Sequence, residues 1–353
     1  MKSENENGFN SSRRKFIQKT SAAALGLSVL GSIPSTLRGA VFNNPSKKSK
    51  VVLVRNSKVI DLNGLVNNSI LSEMLQAGLT NFSGDKSFSS YISGLFSPSD
   101  IIGLKINTLG LAGIAGSALT SHFTSVTSSL INIFNESGLK DSNFIIWDRS
   151  DDELISAGYS IQKEKDKTRI MSCAGKRGED IGIGYSDEEY PVGNISTKIS
   201  RFITDLCTVF INIPVLKDHG NAGFTGALKN HYGSINNPRE FHNNNCTNPG
   251  IPEVNLLSPI RTKQKLIVGD LMMGVFNGGP RWDRKYIWPY GGIIVGTDPV
   301  AVDTIMLSII NEKRKSENIN PLSEYVTRHI NLSAQLGLGT NNLDEIDLVK
   351  IDL

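Results

Sequence analysis

The 353-residue sequence predicts an α/β fold with a mostly parallel sheet flanked by helices, on three observations. Short β-branched and aromatic runs, among them Phe144-Ile145-Ile146-Trp147 and Val209-Phe210-Ile211-Asn212-Ile213, read as buried strands. Segments with apolar residues at helical spacing separate them. Four of the strands stop on polar residues, namely Lys105 and Asn107, Asp148, Lys217 to His219, and Asp270. Open parallel sheets collect their ligands outside the carboxyl ends of their strands.

In chain order, residues 1–40 read as a leader. Ser12-Arg13-Arg14-Lys15-Phe16-Ile17-Gln18 precedes an apolar, Ala/Gly/Ser-rich stretch from Ala22 to Leu30 and resembles a twin-arginine export signal. The stretch falls short of the ~20 apolar residues that span a bilayer, so the leader is expected to be removed or to tether the chain. The resemblance implies the twin-arginine export machinery as a partner, a periplasmic location, and export of a chain already folded, which suits a cofactor loaded beforehand. No stable membrane span is expected beyond the leader.

Residues 50–353 read as one α/β domain. Lys50 to Arg55 is a strand, Leu62 to Leu79 has helical spacing, and Ile101 to Asn107 is a second strand. The loop Gly110 to Gly116 lacks the strand–G-x-G-x-x-G–helix context of a dinucleotide site. Thr120 to Gly138 reads as an amphipathic helix with Val126, Leu130, Ile133 and Phe134 on one face. Residues 151–200 are polar and glycine-rich, a loop-rich insertion or small subdomain. Leu266 to Asp270 and Gly292 to Gly296 are further strands. Asp298 and Pro299 start a helix as cap and first residue, which makes Asp298 structural, and Asp303 with it. Ile346 to Leu353 reads as a last strand.

A net charge of +3 without a basic run interleaved with aromatics gives no case for nucleic-acid binding. The three cysteines, Cys173, Cys207 and Cys246, contain no C-x-x-C pair, so no iron–sulfur cluster or zinc knuckle is expected.

Chemistry concentrates from Val209 to His242. The chain has five histidines, and three of them, His219, His231 and His242, lie there beside Lys217, Asp218, Lys229, Asn230 and Arg239. Gly220, Gly223, Gly226 and Gly233 interleave with them, and polar heads on a glycine-rich loop just past a strand suggest a site. Of the three, His219 and His242 are the better functional candidates, and His231 is the most readily structural. Asp148 either faces the site or serves an Asp–Arg pair or a helix cap.

Lys105-Ile106-Asn107, the turn from Ile213 to His219, Thr225-Gly226-Ala227-Leu228-Lys229-Asn230 with Gly233, Gly278-Gly279-Pro280, and Gly296 to Asp303 together resemble the domain of unknown function 362 family, over about residues 50–350. Many of its members carry ferredoxin-type cysteine motifs, which this chain lacks. More distantly, the spacing of His219 and Lys229, the element Gly223-Phe224-Thr225-Gly226 and the later His242 resemble the amino-terminal domain of lactate racemase-type enzymes. That resemblance implies a nickel-pincer nucleotide attached at Lys229, bound around Gly223, Thr225, Gly226 and Asn230, with His242 as nickel ligand and His219 as proton-transfer base. Its second catalytic histidine has only His122 as a candidate here.

Two classes of function are expected. One is an exported isomerase or oxidoreductase, racemase- or epimerase-like, doing acid–base or hydride chemistry on a hydroxy acid or sugar acid. In it His219, Lys217 and Lys229 are catalytic, and Lys105, Asn107, Lys217 and Arg281 hold the anion. The other is a non-catalytic exported protein that binds an anion or metal with the same loop.

Overall fold

The apolar runs do form strands, and they are nearly continuous because helices cover both faces of the sheet they build. The computed structural model of the chain describes residues 48–84, 88–176 and 182–353; the leader predicted over residues 1–40 lies outside them. The strands are β1 (Ser49–Arg55), β2 (Ile102–Lys105), β3 (Phe144–Asp148), β4 (Arg169–Ser172), β5 (Tyr190–Val192), β6 (Ile195–Thr197), β7 (Val209–Asn212), β8 (Val215–His219), β9 (Gly223–Phe224), β10 (Gln264–Val275), β11 (Ile287–Gly296) and β12 (Ile346–Asp352). The central sheet runs β12-β1-β11-β10-β7-β2-β3-β4, with β8 beside the far half of β10 and β9 paired to β8. Its pairs are parallel except where β11 runs against β1 and β10, and where β9 folds back on β8. The stretch 151–200 contributes edge strand β4 and the separate hairpin β5–β6.

Alternate residues of each strand enter two cores. Ile102, Leu104, Phe144, Ile146 and Ile211 pack on one face with α1 (Asn68–Ser83), α2 (Phe88–Leu95), α3 (Ser121–Glu136) and α4 (Asp151–Ser156). Ile145, Trp147, Phe210 and Ile267 pack on the other. There they meet α5 (Gly226–Asn230), α6 (Ile251–Leu256), α7 (Ser258–Lys263), α8 (Pro299–Ser316) and α9 (Arg328–Gln335).

Helix α1 starts later than the periodicity predicts. The Asp61 carboxylate accepts the N–H groups of Asn63 and Leu65 and folds a turn there, after which Asn67 caps the helix through the N–H groups of Ser69 and Ile70. Leu62 and Leu65 are left exposed. Asp298 caps α8 as expected, accepting from Val300 and Ala301 N. Asp303 lies one turn further in, buried, and accepts Ala227 and Leu228 N, so α8 fixes where α5 begins.

Parallel pairing places Lys105, Trp147 and Asn212 opposite one another, with Asp148 one residue beyond. The carboxyl ends of β2, β3 and β7 therefore present their last polar residues along one rim. Lys217, Asp218 and His219, expected on a loop past β7, belong instead to β8, which runs from Pro214 alongside β10. No helix among the described residues is long and apolar enough to cross a membrane.

Candidate functional site

Beyond that rim lies a cavity of about 320 Å³ walled by residues from β2, β3, β8, α5 and the segment after it. Lys105, Lys217, Lys229, Arg149 and Arg239 line it, against the carboxylates of Asp148 and Glu153. His219 and His242 complete the wall. Cations outnumber carboxylates, and three of the cations are lysines almost wholly withdrawn from water.

Each lysine is held differently. Lys105 Nζ donates to Asp148 Oδ1 at 2.8 Å, to the Ile106 carbonyl at 2.5 Å and to Asn230 Oδ1 at 3.0 Å. Asp148 Oδ2 in turn accepts the Thr108 N–H and hydroxyl. Burial pushes the Asp148 carboxyl up, but Lys105 and the Thr108 donors outweigh it and hold Asp148 below the usual carboxylate range. Asn230 passes the network on, accepting from Asn107 Nδ2 and donating to the Lys105 carbonyl and Asn212 Oδ1. Lys217 Nζ reaches Asn107 Oδ1 and the Leu109 carbonyl and has no carboxylate partner among the described residues. Burial lowers it from 10.5 to about 7, with Lys229 adding repulsion and Asp148 opposing it. Lys229 has no hydrogen-bond partner among the described residues and rests over the Tyr232 ring, 4.1 Å from its centroid. Burial lowers it to about 8.

Desolvating an ammonium without a counter-charge costs stability, and Lys229 offers a clean measure of it. Its folded pKa lies below the unfolded 10.5, so the penalty is full below about pH 8 and disappears above about 10.5. Lys229→Met keeps the apolar stem and loses only the cation–π contact. It is expected to stabilise the protein at pH 7 by on the order of 1–3 kcal/mol in urea titrations, with the gain vanishing near pH 11. An unchanged or less stable variant counts against this reading of Lys229.

The two cavity histidines are fixed in opposite tautomers. His219 Nδ1 accepts the backbone N–H of Asn221 at 3.1 Å and of Ala222 at 3.3 Å, so its ring hydrogen sits on Nε2. Burial, then Lys229 and Lys217, drive it down to about 2, so the ring is neutral. His242 Nδ1 donates to the Pro238 carbonyl at 2.7 Å, which leaves the Nε2 lone pair free. Burial and Lys229 lower it too. The rings lie 5.9 Å apart between centroids, and Tyr232 packs edge-on against His242 at 5.3 Å. His219 therefore offers a hydrogen, and His242 offers a lone pair. The base role expected of His219 is at odds with its backbone donors, and His242 fits that role better.

The other expected residues divide. Lys105, Asn107, Lys217, Thr225, Lys229 and Asn230 all line the cavity, and the Thr225 hydroxyl is buried there without a hydrogen-bond partner among the described residues. Gly223 and Gly226 do not line it and have packing reasons to be glycine. Both take positive φ, and a Cβ on Gly226 would lie 2.3 Å from Asp303 Oδ1. Gly226→Ala is expected to destabilise the protein by at least ~1–2 kcal/mol from the left-handed backbone alone, read as a lower urea midpoint. Arg281 is exposed and outside the cavity wall. The Asp218 carboxylate accepts the Gly279 N–H and the Gly220 N–H donates to the Gly279 carbonyl, which brings Pro280 to the wall and leaves Arg281 facing out. His231 is structural: Nε2 meets Gln264 Oε1 at 3.0 Å and the ring edge packs on Phe210. His122 pairs with Asp270 at 2.6 Å under Trp282 and does not line the cavity.

Reading the sequence missed Glu153 and Tyr232 and placed Arg149 only beside Asp148 at a strand end. Arg149 lies just before the Ser150 cap of α4 and Glu153 in its first turn, where a strand end followed by an acidic turn was the available signal. Burial and Asp148 push Glu153 up, while Arg149 draws it back. Among the described residues no three His, Cys, Asp or Glu side chains gather to hold a metal. A metal here would need an organic group to complete its ligands, with His242 Nε2 as the protein nitrogen free to join them.

No curated protein matches the chain. The model of the family described as Domain of unknown function (DUF362) matches residues 102–308, a span that carries β2 to β11 and the whole cavity wall. Since that match covers more than half of the sequence, the chain belongs to this family.

Proposed function

We propose that the protein is an exported enzyme that transfers a proton at a carbon of a small hydroxylated anion, a hydroxy acid or sugar acid. The observation that carries this reading is the pairing of a hydrogen-donating and a lone-pair-bearing imidazole in one cavity whose charge is predominantly positive. The carboxylate is held by Lys217 and Arg239, with Asn107 and Asn230 aligning Lys217 and Lys105. His242 Nε2 takes the proton from the carbon bearing the hydroxyl, and His219 Nε2–H bonds to the oxygen on which charge develops. Lys229, close by, stabilises that charge further. Export rests on the leader's resemblance to a twin-arginine signal. In the alternative that the racemase resemblance implies, a metal-bearing nucleotide attached at Lys229 would supply hydride acceptance at the same carbon, and His242 would then be its ligand in place of the base. Nickel analysis and intact mass of protein from its native host test for it.

The direct test is incubation of the protein in D₂O with hydroxy acids from glycolate to gluconate, followed by mass spectrometry. Deuterium at the carbon next to the carboxylate is expected for at least one of them. Binding without exchange turns the reading toward an anion-binding accessory protein, and no binding of any of them removes it.

A further inference from the structure

Lys229 differs from the other two cavity lysines in what surrounds its nitrogen. Lys105 is bonded to a carboxylate and two carbonyl-type oxygens, which commits all three of its N–H groups, and Lys217 is bonded to two oxygens, which leaves one N–H of its ammonium for an anion. Lys229 Nζ has no oxygen partner among the described residues and lies over a ring face, in the wall of the cavity. His242 packs edge-to-face with the same Tyr232 ring, and its Nε2 has no hydrogen-bond partner among the described residues.

We propose that Lys229 condenses with the carbonyl of a 2-oxo carboxylate to form an imine, so that the cavity accepts the oxidised counterpart of its hydroxy acid. This inference rests on the anion-site reading above. The carboxylate of the oxo acid takes the place beside Lys217 and Arg239 that the hydroxy acid occupies. The Lys229 nitrogen lone pair forms the C–N bond while the carbonyl π pair moves to oxygen. Both N–H protons leave on that oxygen as water, relayed singly through His242 Nε2, and C=N remains. No oxidant or reductant is needed. Burial brings Lys229 to about 8, so a share of it is already the free amine near neutral pH. Protonated, the imine acidifies the neighbouring C–H, which gives the His242 lone pair a second proton to accept.

The test uses the full chain with pyruvate at pH 8 and borohydride, which reduces an imine to a stable secondary amine. Intact mass is expected to rise by one 1-carboxyethyl adduct per chain, and peptide mapping is expected to find it on Lys229 ahead of the exposed lysines. Lys229→Arg, checked for a native circular-dichroism spectrum, is expected to lose at least ten-fold in labelling rate. Label spread over exposed lysines, or placed on Lys217, overturns the proposal. Calorimetric binding of pyruvate without a borohydride-trapped adduct also overturns it while leaving the anion site standing. Absence of any pyruvate or hydroxy-acid binding takes both down together. If Lys229→Arg does not fold, adduct placement in the unsubstituted chain decides alone.

Discussion

Asp148→Ala is expected to lower stability by about 3–5 kcal/mol, the usual cost of leaving one partner of a buried ion pair alone. Lys105 is 1 % exposed, and its ammonium would keep only the Ile106 carbonyl and the Asn230 amide oxygen. The Thr108 N–H and hydroxyl would lose their acceptor as well. The loss should show as a lower urea midpoint with an unchanged slope. A double cycle with Lys105→Met separates the pair from the rest: if the ion pair carries the cost, the double variant recovers much of it. A single variant within 1 kcal/mol of the parent would mean that Lys105 escapes to water, and the rigid cation frame of the site would be lost.

His242→Gln is expected to reduce proton exchange about 10²–10⁴-fold, the range for loss of a general base, with the fold intact. The ring is only half-buried and its Nδ1 bonds to the Pro238 carbonyl, which a glutamine amide can replace. His219→Gln should behave differently. Its Nδ1 caps two backbone N–H groups, so the variant tests positioning of Asn221 and Ala222 as well as hydrogen donation. A larger exchange loss in the His219 variant than in the His242 variant would reverse the assignment of roles.

Much of this site was legible because strand tips announce themselves. Lys105, Asp148 and Asn212 follow uninterrupted apolar runs, and parallel register does the rest. Strand β8 was not legible, since periodicity is read from hydrophobic residues and here the fully buried inward residues include Lys217, at 0 % exposure. The histidine roles were hidden for another reason. Which nitrogen carries the hydrogen depends on the backbone donors of Asn221 and Ala222 and on the Pro238 carbonyl, none of which residue type reveals. Glycines misled in the opposite sense: Gly223 and Gly226 looked like places for a ligand to approach, and their space is taken by Val326, Thr327 and Asp303. Arg281 looked like an anion clamp until Asp218 fixed which way the Gly278–Pro280 rim turns.

The proposed anion site surrounds its ligand with buried lysines that bury their charge at a cost until an anion arrives. Burial holds Lys217 near 7 and Lys229 near 8, and an arriving carboxylate raises both by favouring the ammonium form. Binding at pH 8 must therefore draw protons from solution. Calorimetry of hydroxy-acid binding at pH 8, in two buffers of different ionisation enthalpy, measures that uptake directly. A net uptake approaching one proton or more per anion is expected, shrinking as the pH is lowered to 6, with affinity falling as the pH rises above 8. Binding with no proton linkage, or affinity that grows with pH, would contradict it.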